Sequence, residues 1–169
     1  MTAATRNVLG TLFDALAAYS PVLVGTFPLG IDVEGSDLDI ACEAYDLDRF
    51  EMDVRATLGV PPCATSRVDA DPLASVTVTD WNGLAIEVFG QPVSVYEQRG
   101  FRHMIVEGRL LAIGGSALRD QVRRLKRSGV KTEPAFAMLL GLDGDPYQAM
   151  LALESWSSEQ LAALVNRMR

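Results

Sequence analysis

Near the start of the chain, Leu9, Leu12, Phe13 and Leu16 repeat at i, i+3, i+4 and i+7, with Val8 beside them, the spacing of one helix face. Thr5 is placed to cap that helix, and Ser20-Pro21 marks its end. The short run Val22-Leu23-Val24 before Gly25 predicts a strand that stops at a glycine turn. A second strand is expected around Asp37-Leu38-Asp39-Ile40-Ala41. Asp46 is a natural cap for a helix through Leu58, with Leu47, Phe50, Val54 and Leu58 on one face and Gly59 as its stop. Pro61-Pro62 then forces a loop. From Ser75 to Phe89 the alternation of Val76 and Val78 with Thr77 and Thr79, the Asn82-Gly83 pair and the return through Leu84 predict a hairpin.

After Pro92 the period becomes helical throughout. Phe101, Met104, Ile105, Leu111 and Ala112 define one helix, and Leu118, Val122 and Leu125 another. Thr132 with Pro134 starts a third that ends near Gly141, and Asp145-Pro146 opens a fourth. Ser157 and Gln160 form a capping box for the last, whose stripe is Leu161, Leu164, Val165 and Met168. Helix and strand alternate in the first half and only helices follow, so the expectation is an α+β fold. Residues 1–95 would form a mixed β-sheet flanked by helices, and residues 96–169 a small C-terminal helical bundle.

Composition narrows the class. The chain has 169 residues, 49% of them hydrophobic and 22% charged. A chain this long buries roughly 70% of its unfolded surface and needs no disulfide or structural metal to hold a core. Its two cysteines, Cys42 and Cys63, make neither a disulfide framework nor a CxxC site. No apolar run approaches the roughly 18 residues of a membrane span, and a cytoplasmic location with no membrane partner is expected. The net charge of −7 disfavours nucleic acid as a partner. That charge is divided unevenly: residues 1–98 carry 4 basic and 15 acidic side chains, residues 99–169 carry 11 basic and 7 acidic. Such a division suits metal ions in the first part and phosphates in the second.

The richest stretch runs from Gly25-Thr26 to Asp37-Leu38-Asp39-Ile40. Alternate side chains of a strand face one way, so Asp37 and Asp39 project together while Leu38 and Ile40 point to the core. Two carboxylates held so repel each other unless a hard cation lies between them, and Mg²⁺ prefers a few carboxylate oxygens together with substrate phosphates. A solvated edge strand is the plain alternative for Asp-Leu-Asp, and turn geometry that for Gly25 and Gly30. Gly25-Thr26, following an apolar strand, offers backbone N–H groups and a hydroxyl that can hold phosphate. Glu87 is the only charged residue of the apolar run Leu84-Ala85-Ile86-Glu87-Val88-Phe89.

With these residues the sequence resembles the nucleotidyltransferase superfamily of DNA polymerase beta and the aminoglycoside nucleotidyltransferases. Its signature is a Gly-Ser turn, about ten intervening residues, Asp-x-Asp on a strand and a third carboxylate on a later strand. Gly25-Thr26 takes the turn position, Ser36-Asp37-Leu38-Asp39 the Asp-x-Asp position and Glu87 that of the third acid. Thr26 keeps the hydroxyl of the commoner Ser, whereas Pro28 removes one N–H donor. Over nearly its whole length the chain also looks like a bacterial family catalogued as a domain of unknown function. The segments carrying that likeness are Val24 to Asp32, Glu87 to Pro92, Arg102-His103-Met104 and Lys131 to Phe136.

The resemblance implies that Asp37, Asp39 and Glu87 bind two Mg²⁺ ions, with Mn²⁺ as a substitute. It further implies transfer of a nucleoside monophosphate from an NTP, ATP by preference, to a hydroxyl of a small molecule or protein. Nucleotide contacts are expected from Gly25, Thr26 and Ser36, and countercharge from Arg123, Arg127 and Lys131. Arg123 and Arg127, at i and i+4, share a helix face. Asp32, Arg102, His103 and Glu133 are further candidates, each with an ordinary structural reading beside it. Two other functions fit the same scaffold: a non-catalytic protein that binds nucleotide or a protein partner, and a metal-dependent nucleotide hydrolase.

Overall fold

The computed structural model describes residues 3–59, 65–68, 73–81 and 84–168. The Pro61-Pro62 loop, Cys63 and the Asn82-Gly83 turn lie outside them. The chain divides into two compact units, Met1–Val24 with Gly35–Phe101 and Gly25–Glu34 with Arg102–Arg169. Both are discontinuous in sequence, because the segment after the first strand belongs with the helices.

In the first unit, helix α1 (Ala3–Ala15) starts ahead of Thr5, and its Leu9 and Leu12 are buried together with Leu16. One turn of 3₁₀ helix at Ala17–Tyr19 leads to β1 (Val22–Val24). The second strand, β2 (Leu38–Glu43), begins one residue later than expected, so Asp37 stands at its mouth. Helix α2 (Leu47–Leu58) has the caps read from the sequence: Asp46 accepts a hydrogen bond from the Arg49 amide at 3.0 Å, and Gly59 ends the helix with φ of 67°. Strands β3 (Thr65–Val68), β4 (Leu73–Trp81) and β5 (Leu84–Gln91) complete a five-stranded sheet of order β1-β2-β5-β4-β3.

The sheet is mixed, with β2 parallel to β5 and the other pairs antiparallel. Strand β3 has no counterpart in the sequence reading, because Thr65-Ser66-Arg67-Val68 carries no apolar alternation. It is a strand by virtue of the free edge of β4, which offers backbone groups to pair with. Leu38, Ile40, Ile86 and Val88 are fully buried, and Phe50 and Val54 of α2 are equally enclosed. Gly90 permits the close approach of α2, since a Cβ there would lie 2.7 Å from the Phe50 ring.

The second unit is helical. Helix α3 (Arg99–Arg127) is broken at Gly115, whose φ of 61° and ψ of −149° are not helical, and this accounts for the two separate helical patterns in the sequence. Helices α4 (Thr132–Leu140), α5 (Pro146–Ala152) and α6 (Ser158–Asn166) follow with the expected stops and caps. These include the Ser157–Gln160 capping box. Their core gathers Val106, Leu110, Phe136, Met150 and Leu161, and Ile31 from the inserted segment joins it. Arg109 ties the α5–α6 connection to α3 by donating to the carbonyls of Glu154 and Trp156.

Candidate functional site

Strand β5 places Ile86 and Val88 in the core and leaves Glu87 half-buried on the opposite face. Its register partner across the parallel pair is Asp39, whose neighbours Leu38 and Ile40 are likewise buried. Asp37, two residues before Asp39, shares its side of the chain. The alternation that builds the core therefore also assembles the acids. One carboxylate oxygen from each of Asp37, Asp39 and Glu87 lies within 4.8 Å of the other two, and all three residues are half-buried.

On the same face, β4 brings Ser75 diagonally opposite Glu87, because Thr77 is the register partner of Glu87. The buried Ser75 hydroxyl donates to Glu87 Oε1 at 2.6 Å and fixes that carboxylate. Ser75 was not singled out in the sequence: a hairpin closed by the two-residue Asn82-Gly83 turn would pair Val78 with Glu87 and put Ser75 on the other face, and the register shift between Val78 and Trp81 brings Ser75 to the side of Glu87.

At an effective dielectric of about 20, two carboxylates this far apart repel by roughly 3–4 kcal/mol. A divalent cation reverses the sign of that interaction. Three carboxylates at half-exposed positions offer hard oxygen donors and leave room for water or phosphate oxygens, which is the chemistry Mg²⁺ and Mn²⁺ select. The donor set fits the metal.

The other sequence candidates are distributed between the units. Ser36 is half-buried beside Asp37. Gly25, with φ of 68°, and the buried Thr26 open the segment that belongs to the second unit, and the half-buried Asp32 lies near its end. In that segment Gly30 N–H donates to Phe27 O and Ile31 N–H to Thr26 O, both at 3.2 Å, forming a tight turn around Pro28.

In the helical unit Arg127 and Lys131 are exposed, while Arg123 is half-buried and its Nε, though enclosed, has no hydrogen-bond partner among the described residues. Arg102, His103 and Glu133 have partners within this unit. Arg102 forms a forked pair with Glu154, its terminal nitrogen 2.6 Å from Oε2, and holds that carboxyl below its usual range. His103 is buried with Nδ1 3.4 Å from Glu133 and Nε2 3.0 Å from the Tyr147 carbonyl. Among the described residues, no helix is long and apolar enough to cross a membrane.

Solved structures share this architecture. One is the Cid1 poly(U) polymerase with MgGTP bound, at a TM-score of 0.56 and 14% identity, over 80% of this chain and 47% of that one. Another structure of Cid1, described for its RNA terminal uridylyl transferase activity, gives 0.59 and 15% over 81% and 46%. A third, with Mg 3′-dATP bound, gives 0.56 and 13% over 87% and 46%. The chain spans a little under half the length of these proteins. The likeness shows the fold, a mixed sheet with helices of the kind found in nucleotidyltransferases. No curated protein matches the chain in sequence. A family model described as Domain of unknown function (DUF4269) matches residues 9–153.

Proposed function

This chain belongs to the DUF4269 family, and we propose that it is a metal-dependent nucleotidyltransferase whose catalytic residues are Asp37, Asp39 and Glu87. The observation that carries the reading is the convergence of three carboxylates from two adjacent strands, on a fold of the nucleotidyltransferase class. Mg²⁺ bound there supplies Lewis acidity to phosphate oxygens and lowers the pKa of an acceptor hydroxyl. Asp37 and Asp39 hold the ions. Glu87, oriented by Ser75, completes the ligand set or accepts the acceptor's proton. The transfer joins the acceptor oxygen to the α-phosphorus of the NTP and breaks the bond to pyrophosphate, which leaves.

The reading assigns phosphate contacts to Gly25, Thr26 and Ser36 and countercharge to Arg123, Arg127 and Lys131. The left-handed Gly25 and the enclosed Nε of Arg123 support it. Within the inserted turn the amides of Gly30 and Ile31 already bond to carbonyls and Pro28 has none, so the reading draws on the Thr26 hydroxyl and on the amides at the start of the turn. ATP is the expected donor, and a small molecule or protein hydroxyl the expected acceptor.

The test is calorimetric titration of ATP with and without Mg²⁺ into the wild type and into Asp37→Asn/Asp39→Asn, followed by product analysis. Metal-dependent binding lost in the double variant, with pyrophosphate released and a nucleotide adduct formed, is the expected result. Nucleoside monophosphate and pyrophosphate without an adduct would make it a hydrolase. No ATP binding in either protein would leave a partner-binding scaffold.

A further inference from the structure

We infer that Arg119 of α3 is a positioning residue for the turn that carries Gly25 and Thr26, and through that turn sets nucleotide affinity. The inference rests on the nucleotidyltransferase reading above. It is drawn from contacts that all lie inside the helical unit.

The Gly25–Glu34 segment is held there at three points. Ile31 is fully buried in the core with Val106, Leu110 and Leu118. Leu29 packs against α3 at Gly108, where an added Cβ would come within 3.4 Å of Leu29 Cδ2. Arg119 donates from its guanidinium to the Leu29 carbonyl. The turn's own hydrogen bonds use the carbonyls of Thr26 and Phe27, so Arg119 takes a different one. Gly30, at φ of 65°, holds the left-handed backbone that follows Leu29, and Arg119 Nη1 lies at ordinary contact distance from it, 3.5 Å from where a Cβ would be.

The geometry of α3 serves this contact. At Gly114 a Cβ would strike Leu118 at 2.5 Å, and the non-helical Gly115 follows it. Glycines at both positions let Leu118 fold into the core, and Arg119 leaves the helix next to it. The bond to the Leu29 carbonyl ties the Arg119 guanidinium to the turn while leaving its charge and its other N–H donors in place. What it fixes is the turn, and with it the Thr26 hydroxyl.

Three measurements on the full chain test the assignment: hydrogen exchange at the Gly30 and Ile31 amides without nucleotide, MgATP affinity by calorimetry, and Mn²⁺ affinity by electron paramagnetic resonance. Arg119→Met is expected to speed exchange at both amides and to weaken MgATP about tenfold, with Mn²⁺ affinity unchanged. Arg119→Lys, which keeps a donor, is expected to restore part of both losses. Unchanged exchange overturns the clamp. Faster exchange with wild-type MgATP affinity overturns its role in nucleotide binding, and a parallel loss of Mn²⁺ affinity reduces it to general stability. Wild type that binds no MgATP overturns the nucleotidyltransferase reading, and this assignment with it. Should Arg119→Met not fold, Leu29→Ala loosens the same turn from its other contact and is read in the same way.

Discussion

Glu87 shows how much one residue owes to its neighbours. As the only charge in an apolar strand it is conspicuous in the sequence, and Asp37-Leu38-Asp39 announces its own geometry through the period of two. Ser75 is different. A serine in a hairpin is commonplace, and only the register of β4 on β5 makes its hydroxyl the 2.6 Å partner of Glu87 Oε1. Hydrogen bonds behind a ligand orient it, and their loss commonly weakens metal affinity by about 10- to 100-fold. Ser75→Ala is therefore expected to weaken Mn²⁺ binding by roughly tenfold, followed by electron paramagnetic resonance. Unaltered affinity would mean that Glu87 is held without it. Arg102, His103 and Glu133 carry the reverse lesson: polar residues in a distinctive run have their partners in ion pairs and carbonyl contacts among the helices.

Among the elements, α3 departs furthest from a simple amphipathic pattern. Glu107 is only 3% exposed on its inner face. Burial, with the nearby Glu133 charge adding to it and Lys126 opposing, pushes its carboxyl well above the ordinary range. The folded protein then holds this proton to a higher pH than the unfolded chain does. This contribution to stability is fully present below the unfolded pKa and is lost as pH rises. Glu107→Gln removes the ionisation, so it should raise Tm at pH 7 by roughly 2–4 °C for each kcal/mol recovered, with the gain shrinking toward pH 4. Scanning calorimetry at the two pH values checks it, and an equal gain at both would assign the effect to packing.

In the same helix, Gly115 occupies a backbone region that is essentially glycine's alone. Gly115→Ala is expected to destabilise by about 1–3 kcal/mol, measured by urea unfolding. The break at Gly115 was legible as a gap between two apolar stripes, and the caps of α2, α4, α5 and α6 were legible because capping is local chemistry. Strand β3 was not, because an edge strand with one apolar residue is defined by its partner.

For the whole molecule, the acidic excess of residues 1–98 has its sharpest local expression in the Asp37, Asp39 and Glu87 cluster. Like charges gathered on a sheet oppose folding until a cation neutralises them. In EDTA, Asp39→Asn is expected to melt at or above the wild-type temperature. With Mn²⁺ at 100 times its dissociation constant the wild type should gain about 2.7 kcal/mol, and the variant little. Differential scanning fluorimetry under both conditions checks the crossing. If neither protein responds to Mn²⁺, the cluster does not hold a metal.

The order of the helices and of every strand but β3, the caps that bound them and the shared side of Asp37 and Asp39 were legible in the sequence alone, whereas Glu87 joins the two aspartates through the pairing of β5 with β2. Each of the legible features depends on periodicity or on groups a few residues apart. Tertiary structure decided which strands are neighbours, that Ser75 supports Glu87 and that Gly25–Glu34 folds with the helices. It also turned Arg119 to a backbone carbonyl. These outcomes depend on register and on competition for the core: Ile31 is an ordinary apolar loop residue until Val106, Leu110 and Leu118 offer it a buried place.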